Sequence, residues 1–142
     1  MAISARNVFA GTVSEIREGA VNAEVSLSVT GGDVIVATVT LDSLKNLGLV
    51  VGTAATAFVK APAIMIVTGD DSVRYSARNH LKGSVTELKT GAVNSEVVVK
   101  LAGGSEVKAI ITNDAVTDLG LAVGSTASVL FKAGSVILGV SA

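Results

Sequence analysis

Few residues of the kinds used in catalysis, metal binding or disulfide formation occur in this chain. Its 142 residues include no cysteine, no tryptophan and one histidine. The lack of cysteine excludes a disulfide framework and a thiolate metal site, and a single imidazole cannot form a histidine-based zinc site. The sequence shows no carboxylate pair, nucleophile–base pair, P-loop or dinucleotide fingerprint. It therefore predicts a protein that is not an enzyme and has no cofactor.

Long apolar runs and an excess of positive charge are also lacking. No apolar stretch approaches the roughly 18–20 residues needed to span a bilayer, and the N-terminal segment MAISARN lacks the pattern of a signal peptide. We therefore expect a cytoplasmic protein with no membrane partner. The formal net charge is −1 and aromatic residues make up only 3% of the chain. Both values argue against a nucleic-acid partner, which needs a basic surface and stacking aromatics.

The residues that are abundant favour β-structure. Hydrophobic residues make up 49% of the chain, and many of them are Val and Ile, whose branched side chains suit a pleated, half-buried surface. Fifteen glycines and one proline indicate many tight turns. The length fits one ordinary domain or two very small ones.

The chain is a tandem duplication that matches itself without a gap. The matching segments include Ser4–Asn7 with Ser76–Asn79 and Gly19–Asn22 with Gly91–Asn94. We therefore expect two domains, residues 1–68 and 75–142, joined by a polar linker at 69–74. A unit of this size buries only a modest fraction of its surface, so each copy is expected to pack against its twin or against other chains.

Within one copy, residues 21–30 alternate apolar and polar side chains without error. This alternation predicts a strand with one buried and one wet face, and Gly31-Gly32 predicts the hairpin turn that follows. Asp42 is expected to cap a short helix that Gly48 ends. The predicted order is three strands, the helix and two strands, at 11–19, 21–30, 33–40, 43–47, 53–59 and 63–67. The expected fold class is all-β, with two tandem OB-like five-stranded barrels, each with one short helix.

Packing of the hydrophobic core does not explain why both copies retain the same polar residues. Arg6 and Arg78 keep their Ser and Asn neighbours, whereas other charges differ between the copies, as at Arg17 and Lys89. Retention of arginine suggests a use for its fixed fork of donors. The alternative is a solvated charge at the end of a strand.

Two other retained positions lie next to turns. Lys60 and Lys132 occupy the turn between the last two strands, where the following amides and the ammonium could form an anion-binding nest; a plain surface charge is the alternative. Thr40 and Thr112 precede the short helix. For them, hydrogen bonding to the helix end and a role in ligand binding are about equally supported.

The retained donors share one chemical character. Ser, Arg, Thr and Lys side chains can all donate hydrogen bonds, and the sequence shows no recurring acid grouped with them. Arginine plus lysine supplies about two positive charges, which suits a tetrahedral dianion such as molybdate, tungstate or sulfate. A site made only of donors would disfavour hydrogen phosphate, because its O–H needs an acceptor.

These residues resemble a known domain. Ser-Ala-Arg-Asn at the start of a strand, Gly-Ala-Val-Asn-Ser-Glu-Val at 91–97, Thr-x-Asp before a short helix and Lys-Ala in the last turn are similar to the molybdate-binding Mop domain. The whole chain resembles the molbindins with two tandem Mop domains. The resemblance implies an intracellular protein that binds molybdate, or tungstate, at interfaces between domains, and that forms a homo-oligomer, a trimer.

The resemblance also implies two kinds of oxyanion site. One kind is formed at interfaces by Ser4, Arg6, Thr40, Ser43, Lys60, Ala61, Ser76, Arg78, Thr112, Lys132 and Ala133. The other lies near a threefold axis, with the candidates Gly19, Ala20, Val21, Asn22, Gly91, Ala92, Val93 and Asn94, although these tips could also be simple turns into a strand. Ala115 stands where the first copy has Ser43, and Gly134 where it has Pro62, so the copies need not bind equally.

Three functions remain open on these grounds. The first is molybdate storage and homeostasis. The second is a molybdate-sensing regulatory module that acts on a separate partner. The third is oligonucleotide binding by an OB barrel, for which Phe9, Phe58, Tyr75 and Phe131 are the only aromatic residues available.

Overall fold

Each repeat folds into three long strands, a short helix and two further strands, in the order that the sequence predicts. The computed structural model describes residues 1–69 and 72–142, so that residues 70 and 71 of the expected linker lie outside the described residues. In the first repeat the elements are β1 (Asn7–Glu18), β2 (Asn22–Val29), β3 (Val34–Thr40), α1 (Leu41–Asn46), β4 (Ala54–Val59) and β5 (Met65–Val67). In the second they are β6 (Asn79–Thr90), β7 (Asn94–Leu101), β8 (Glu106–Thr112), α2 (Asn113–Leu119), β9 (Thr126–Phe131) and β10 (Ile137–Gly139).

The last strand of each repeat belongs to the sheet of the other repeat. One five-stranded sheet has the order β10-β4-β1-β2-β3 and the other β5-β9-β6-β7-β8. Ile137 of β10 pairs with Phe58 of β4, and Met65 of β5 pairs with Leu130 of β9. The 3₁₀ turns that precede these strands, Ala61–Ala63 and Ala133–Ser135, lie against β8 and β3 respectively. Neither sheet is therefore complete within one sequence repeat.

The alternation at 21–30 gives β2 the buried face that was expected, except at Val21, which lies outside the strand and is exposed. Ala23, Val25, Leu27 and Val29 point into the core, while the polar residues between them are exposed or half-buried. β1 continues this core by pairing with β4 along its first half and with β2 along its second. The register of β1 on β2 shifts by one residue between Val13 and Glu15, as at a β-bulge.

The helix of the first repeat begins two residues earlier than predicted, and the predicted cap is wrong. Thr40, not Asp42, is the N-cap of α1, and Thr112 is the N-cap of α2. Both Thr and Asp can cap a helix, and Asp42 instead lies in the first turn, where its charge suits the helix dipole. Among the described residues, no helix is long and apolar enough to cross a membrane.

The β2–β3 hairpin of one repeat touches the β7–β8 hairpin of the other. The Gly103 N–H donates to Asp33 Oδ1 at 3.1 Å, and the Ser105 hydroxyl donates to the Thr30 carbonyl at 3.4 Å. At Gly31 a Cβ atom would lie 1.9 Å from the Gly103 carbonyl oxygen. Only a residue without a side chain therefore fits at Gly31.

Gly31→Ala is expected to destabilise the protein more than Gly32→Ala. Their φ angles are 93° and 96°, so each substitution carries the strain of a conformation that L-residues rarely adopt, roughly 1–3 kcal/mol. Only at position 31 does the new Cβ also collide with backbone, since nothing lies within 4 Å at Gly32. Urea denaturation of both variants measures the difference. Equal losses of unfolding free energy would contradict the contact between the hairpins.

Candidate functional site

The asparagine of each Ser-Ala-Arg-Asn segment anchors that segment on the other repeat. Asn79 Nδ2 donates to the Val36 carbonyl and Asn79 Oδ1 accepts from the Val36 N–H, both at 2.8 Å. Asn7 makes the same pair of bonds with Lys108, also at 2.8 Å. Both asparagines are only 1% exposed. Each side-chain amide therefore imitates a further strand on the free edge of β3 or β8.

This role could have been found in the sequence only in part. The asparagine belongs to the repeated tetrapeptide, and a repeated polar residue signals a specific contact. Its function cannot be predicted from the sequence, because its partners are backbone groups, which leave no side-chain signal. The anchor also decides where the preceding arginine emerges, one residue before the buried amide.

Each repeated arginine forms an ion pair with a glutamate of the other repeat. Arg78 Nη2 lies 2.9 Å from Glu24 Oε1, and Arg6 Nη1 contacts Glu96 Oε2. The arginine side chains remain 56% and 54% exposed for Arg6 and Arg78, whereas those of Glu96 and Glu24 are 12% and 27% exposed. The expectation that no recurring acid accompanies the donors is therefore wrong. These carboxylates lie 90 and 54 positions from their arginines along the chain, so local spacing could not show the pairing.

One cleft joins residues that the sequence assigned to different kinds of site. Its volume is about 420 Å³. It is lined by Arg17, Glu18, Gly19, Asn22, Ala23, Glu24, Thr38 and Arg78. Arg78 was expected at an interface site and Gly19 and Asn22 near a threefold axis. The hydrogen bond from Arg17 to Glu15 raises the Arg17 pKa. Two arginines and two glutamates line the cleft, so its formal charges balance.

The helix-start threonines lie beside the Gly-Ala-Val-Asn tips. Asn22 pairs with Thr40 across β2 and β3, and Asn94 with Thr112 across β7 and β8. The Thr40 hydroxyl accepts from the Ser43 N–H at 3.1 Å and donates to the Ser43 hydroxyl at 2.9 Å. Thr112 accepts from the Ala115 N–H at 3.1 Å. The helix-end interpretation of these threonines is therefore confirmed, and a ligand role would be additional.

The predicted serine and lysine of the first repeat share a different cleft, of about 450 Å³. It is lined by Ile3, Ser4, Ala5, Phe58, Lys60, Ala63, Ser135 and Ile137, so the exchanged end of the second repeat forms one wall. Neither of these two clefts contains both a predicted arginine and a predicted lysine. A complete donor set would have to draw on more than one such surface.

The lysine turns differ in the amides they can offer. In the first, the Ala63 and Ile64 N–H groups donate to carbonyls within the turn, and Pro62 has no N–H. This leaves at most the amide of Ala61 for an anion. In the second turn Gly134 replaces Pro62 and adds a possible donor. The first repeat can therefore offer at most part of the predicted anion-binding nest. Ala61 and Ala133, the residues after the two lysines, are both buried.

The comparisons with known proteins agree with this architecture. The model of the TOBE domain matches residues 3–66 and 75–138. The chain belongs to the TOBE-domain family. A solved structure of the cytoplasmic molybdate-binding protein ModG, with molybdate bound, has 51% sequence identity and a TM-score of 0.94. The match covers 99% of this TOBE-domain protein and 100% of that chain.

Two longer proteins are similar to nearly the whole of the TOBE-domain chain. The molybdenum transport protein ModE of Herbaspirillum seropedicae is 43% identical over 140 residues, which cover 99% of this chain and 52% of ModE. The molybdenum-pterin-binding protein MopA of Rhodobacter capsulatus is 41% identical over 138 residues, or 97% of this chain and 52% of MopA. The chain thus spans about half the length of these curated relatives.

Asn79→Ala is expected to lower the free energy of unfolding by about 1–3 kcal/mol, since it leaves the Val36 N–H and carbonyl without their buried partner. Asn46→Ala, at the exposed end of α1, is the control and should change stability far less. Guanidinium denaturation followed by circular dichroism measures both. Similar small losses in the two variants would show that the asparagine anchor does not stabilise the contact between the repeats.

Proposed function

We propose that this TOBE-domain protein binds molybdate, and also tungstate, at sites that Arg6 and Arg78 help to form. The observation that carries the proposal is the similarity over 99% of the chain to a ModG structure that contains molybdate. The repeated donors supply the chemistry, because charge-assisted hydrogen bonds from arginine and lysine suit a dianion. Binding without catalysis is the expected activity.

The carboxylates beside the arginines change the basis of selectivity. Glu24 and Glu96 are acceptors next to Arg78 and Arg6, so a protonated oxyanion would not be rejected at these arginines for lack of an acceptor. Discrimination among molybdate, sulfate and hydrogen phosphate must then depend on cavity size and on the directions of the other donors. The serine, threonine and lysine donors of the interface set, Ser4, Thr40, Ser43, Lys60, Ser76, Thr112 and Lys132, are proposed for that role, together with the backbone at Ala61 and Ala133.

A homotrimer is proposed as the assembly that completes these sites. Arginine and lysine donors lie around separate clefts of one chain, so a second chain can bring them together. Val21 and Val93, at the Gly-Ala-Val-Asn tips, are 73% and 70% exposed, and such apolar tips are suited to meeting at a symmetry axis. Gly19, Ala20, Asn22, Gly91, Ala92 and Asn94 complete the tips proposed to surround a second kind of site there.

Storage and homeostasis in the cytoplasm is the proposed role, because the match covers the whole of the ModG chain, which is described as cytoplasmic. A sensing module is the second candidate. It is supported by the transcriptional regulator ModE of Yersinia pestis, which is 35% identical over 136 residues that make up 51% of that protein. In both roles residues 1–68 and 75–142 act as two oxyanion-binding domains whose last strands are exchanged.

The double variant Arg6→Ala/Arg78→Ala is expected to lose roughly 10- to 100-fold in molybdate affinity, the factor expected for removing hydrogen bonds from a charged donor. Lys100→Ala removes an exposed cation that lies opposite Glu106, at the far end of the β7–β8 hairpin from Asn94 and Thr112, and it should bind like the wild type. Isothermal titration calorimetry gives both affinity and stoichiometry.

Titrations of the wild type with sulfate, hydrogen phosphate, tungstate and single-stranded DNA complete this test. Tungstate is expected to bind similarly to molybdate, and sulfate and hydrogen phosphate more weakly. Unchanged molybdate affinity in the arginine double variant would show that Arg6 and Arg78 do not bind the anion. Binding of DNA without binding of molybdate would overturn the proposed function itself.

A further inference from the structure

The two arginine–glutamate pairs repeat the same geometry in both halves of the molecule. Glu24 pairs across the sheet with Thr38 of β3, two residues from Val36, where Asn79 is anchored. In the other half, Glu96 pairs with Ile110 of β8, two residues from Lys108, where Asn7 is anchored. The backbone after each arginine is thus fixed on the edge strand, β3 or β8, and the tip of its side chain on the neighbouring strand, β2 or β7.

The ion pairs hold the arginines and still leave some of their N–H donors free to bind an anion. Glu96 contacts Nη1 of Arg6, and Glu24 contacts Nη2 of Arg78. A guanidinium carries five N–H donors, so a contact at one nitrogen leaves others for an oxyanion. The more buried partner is the glutamate in each pair, while more than half of each arginine side chain is exposed.

We propose that Glu24 and Glu96 are positioning residues for the oxyanion-binding arginines: each holds a guanidinium from the other repeat in a fixed orientation while part of its donor fork faces the ligand. The inference rests on the proposed function, because it presumes that Arg6 and Arg78 bind the anion. An arginine whose tip is already ordered loses less side-chain entropy when the anion arrives. The same carboxylate could instead compete with the anion for the arginine, and this alternative predicts the opposite effect of its removal.

A role of the glutamates in positioning the arginines can be distinguished experimentally from a role in folding. The arginine of each pair is more than half exposed, and an ion pair that solvent screens contributes little to stability. Loss of Glu24 and Glu96 should therefore change the unfolding midpoint only slightly. Glutamine keeps a side-chain acceptor of the same length but removes the charge. It should therefore preserve the orientation of the arginine, whereas alanine should not.

The test compares the double variants Glu24→Ala/Glu96→Ala and Glu24→Gln/Glu96→Gln with the wild type. Molybdate titrations are expected to show a loss of about 2- to 10-fold with alanine, the factor for ordering one long side chain, and near wild-type affinity with glutamine. Glu106→Ala is the matched control, because Glu106 is exposed and lies opposite Lys100, at the far end of the β7–β8 hairpin from Asn94 and Thr112. It should bind like the wild type.

A second measurement reports on the arginines without any ligand. In ¹⁵N spectra, the Arg6 and Arg78 side-chain Nε–H signals should be dispersed and ordered in the wild type and the glutamine variant, and averaged in the alanine variant. Higher or unchanged molybdate affinity with alanine would overturn the inference, as would equal losses with alanine and glutamine. Failure of the wild type to bind molybdate would overturn the proposed function instead, and the arginine spectra would still show whether the glutamates order the guanidinium groups.

Discussion

Two buried asparagine side chains join each repeat to the edge strand of the other, and the remaining contacts between the repeats follow from this constraint. A primary amide buried at 1% exposure needs partners for its donor and its acceptor. Asn7 and Asn79 find both on one backbone residue, Lys108 and Val36. These four bonds hold the two repeats in the observed register. The exchanged strands β5 and β10 reinforce that register, because each completes a sheet whose other four strands belong to the other repeat.

The candidate site is a consequence of that register. Once the asparagine is fixed, the arginine before it emerges beside β2 or β7 of the other repeat, within reach of Glu24 or Glu96. The same edge carries the helix-start threonine, and the Gly-Ala-Val-Asn tip lies directly opposite it. A permanent cation from one repeat and backbone turns from the other therefore meet at one end of each sheet. Duplication of the unit supplies this arrangement twice within one chain.

The sequence predicts the secondary structure well and the connection between repeats poorly. Alternation at 21–30 identifies β2 because one face must be buried, and the repeat itself transfers that prediction to β7. Exchange of β5 and β10 leaves no trace in the sequence, since Met65–Val67 is equally suited to an edge in either sheet. The sequence does not distinguish Thr40 from Asp42 as the helix cap, because both residue types are good caps; the prediction of Asp42 was therefore wrong. The glutamate partners were missed since pairing across repeats depends on tertiary structure, not on spacing.

The position of molybdenum in crystals grown with molybdate shows whether Arg6 and Arg78 bind the anion. Anomalous scattering at the molybdenum absorption edge locates the metal without reference to the protein atoms. Peaks are expected next to the guanidinium groups of Arg6 and Arg78, with each arginine still in contact with the glutamate of the other repeat. Peaks confined to places remote from both arginines would contradict this expectation.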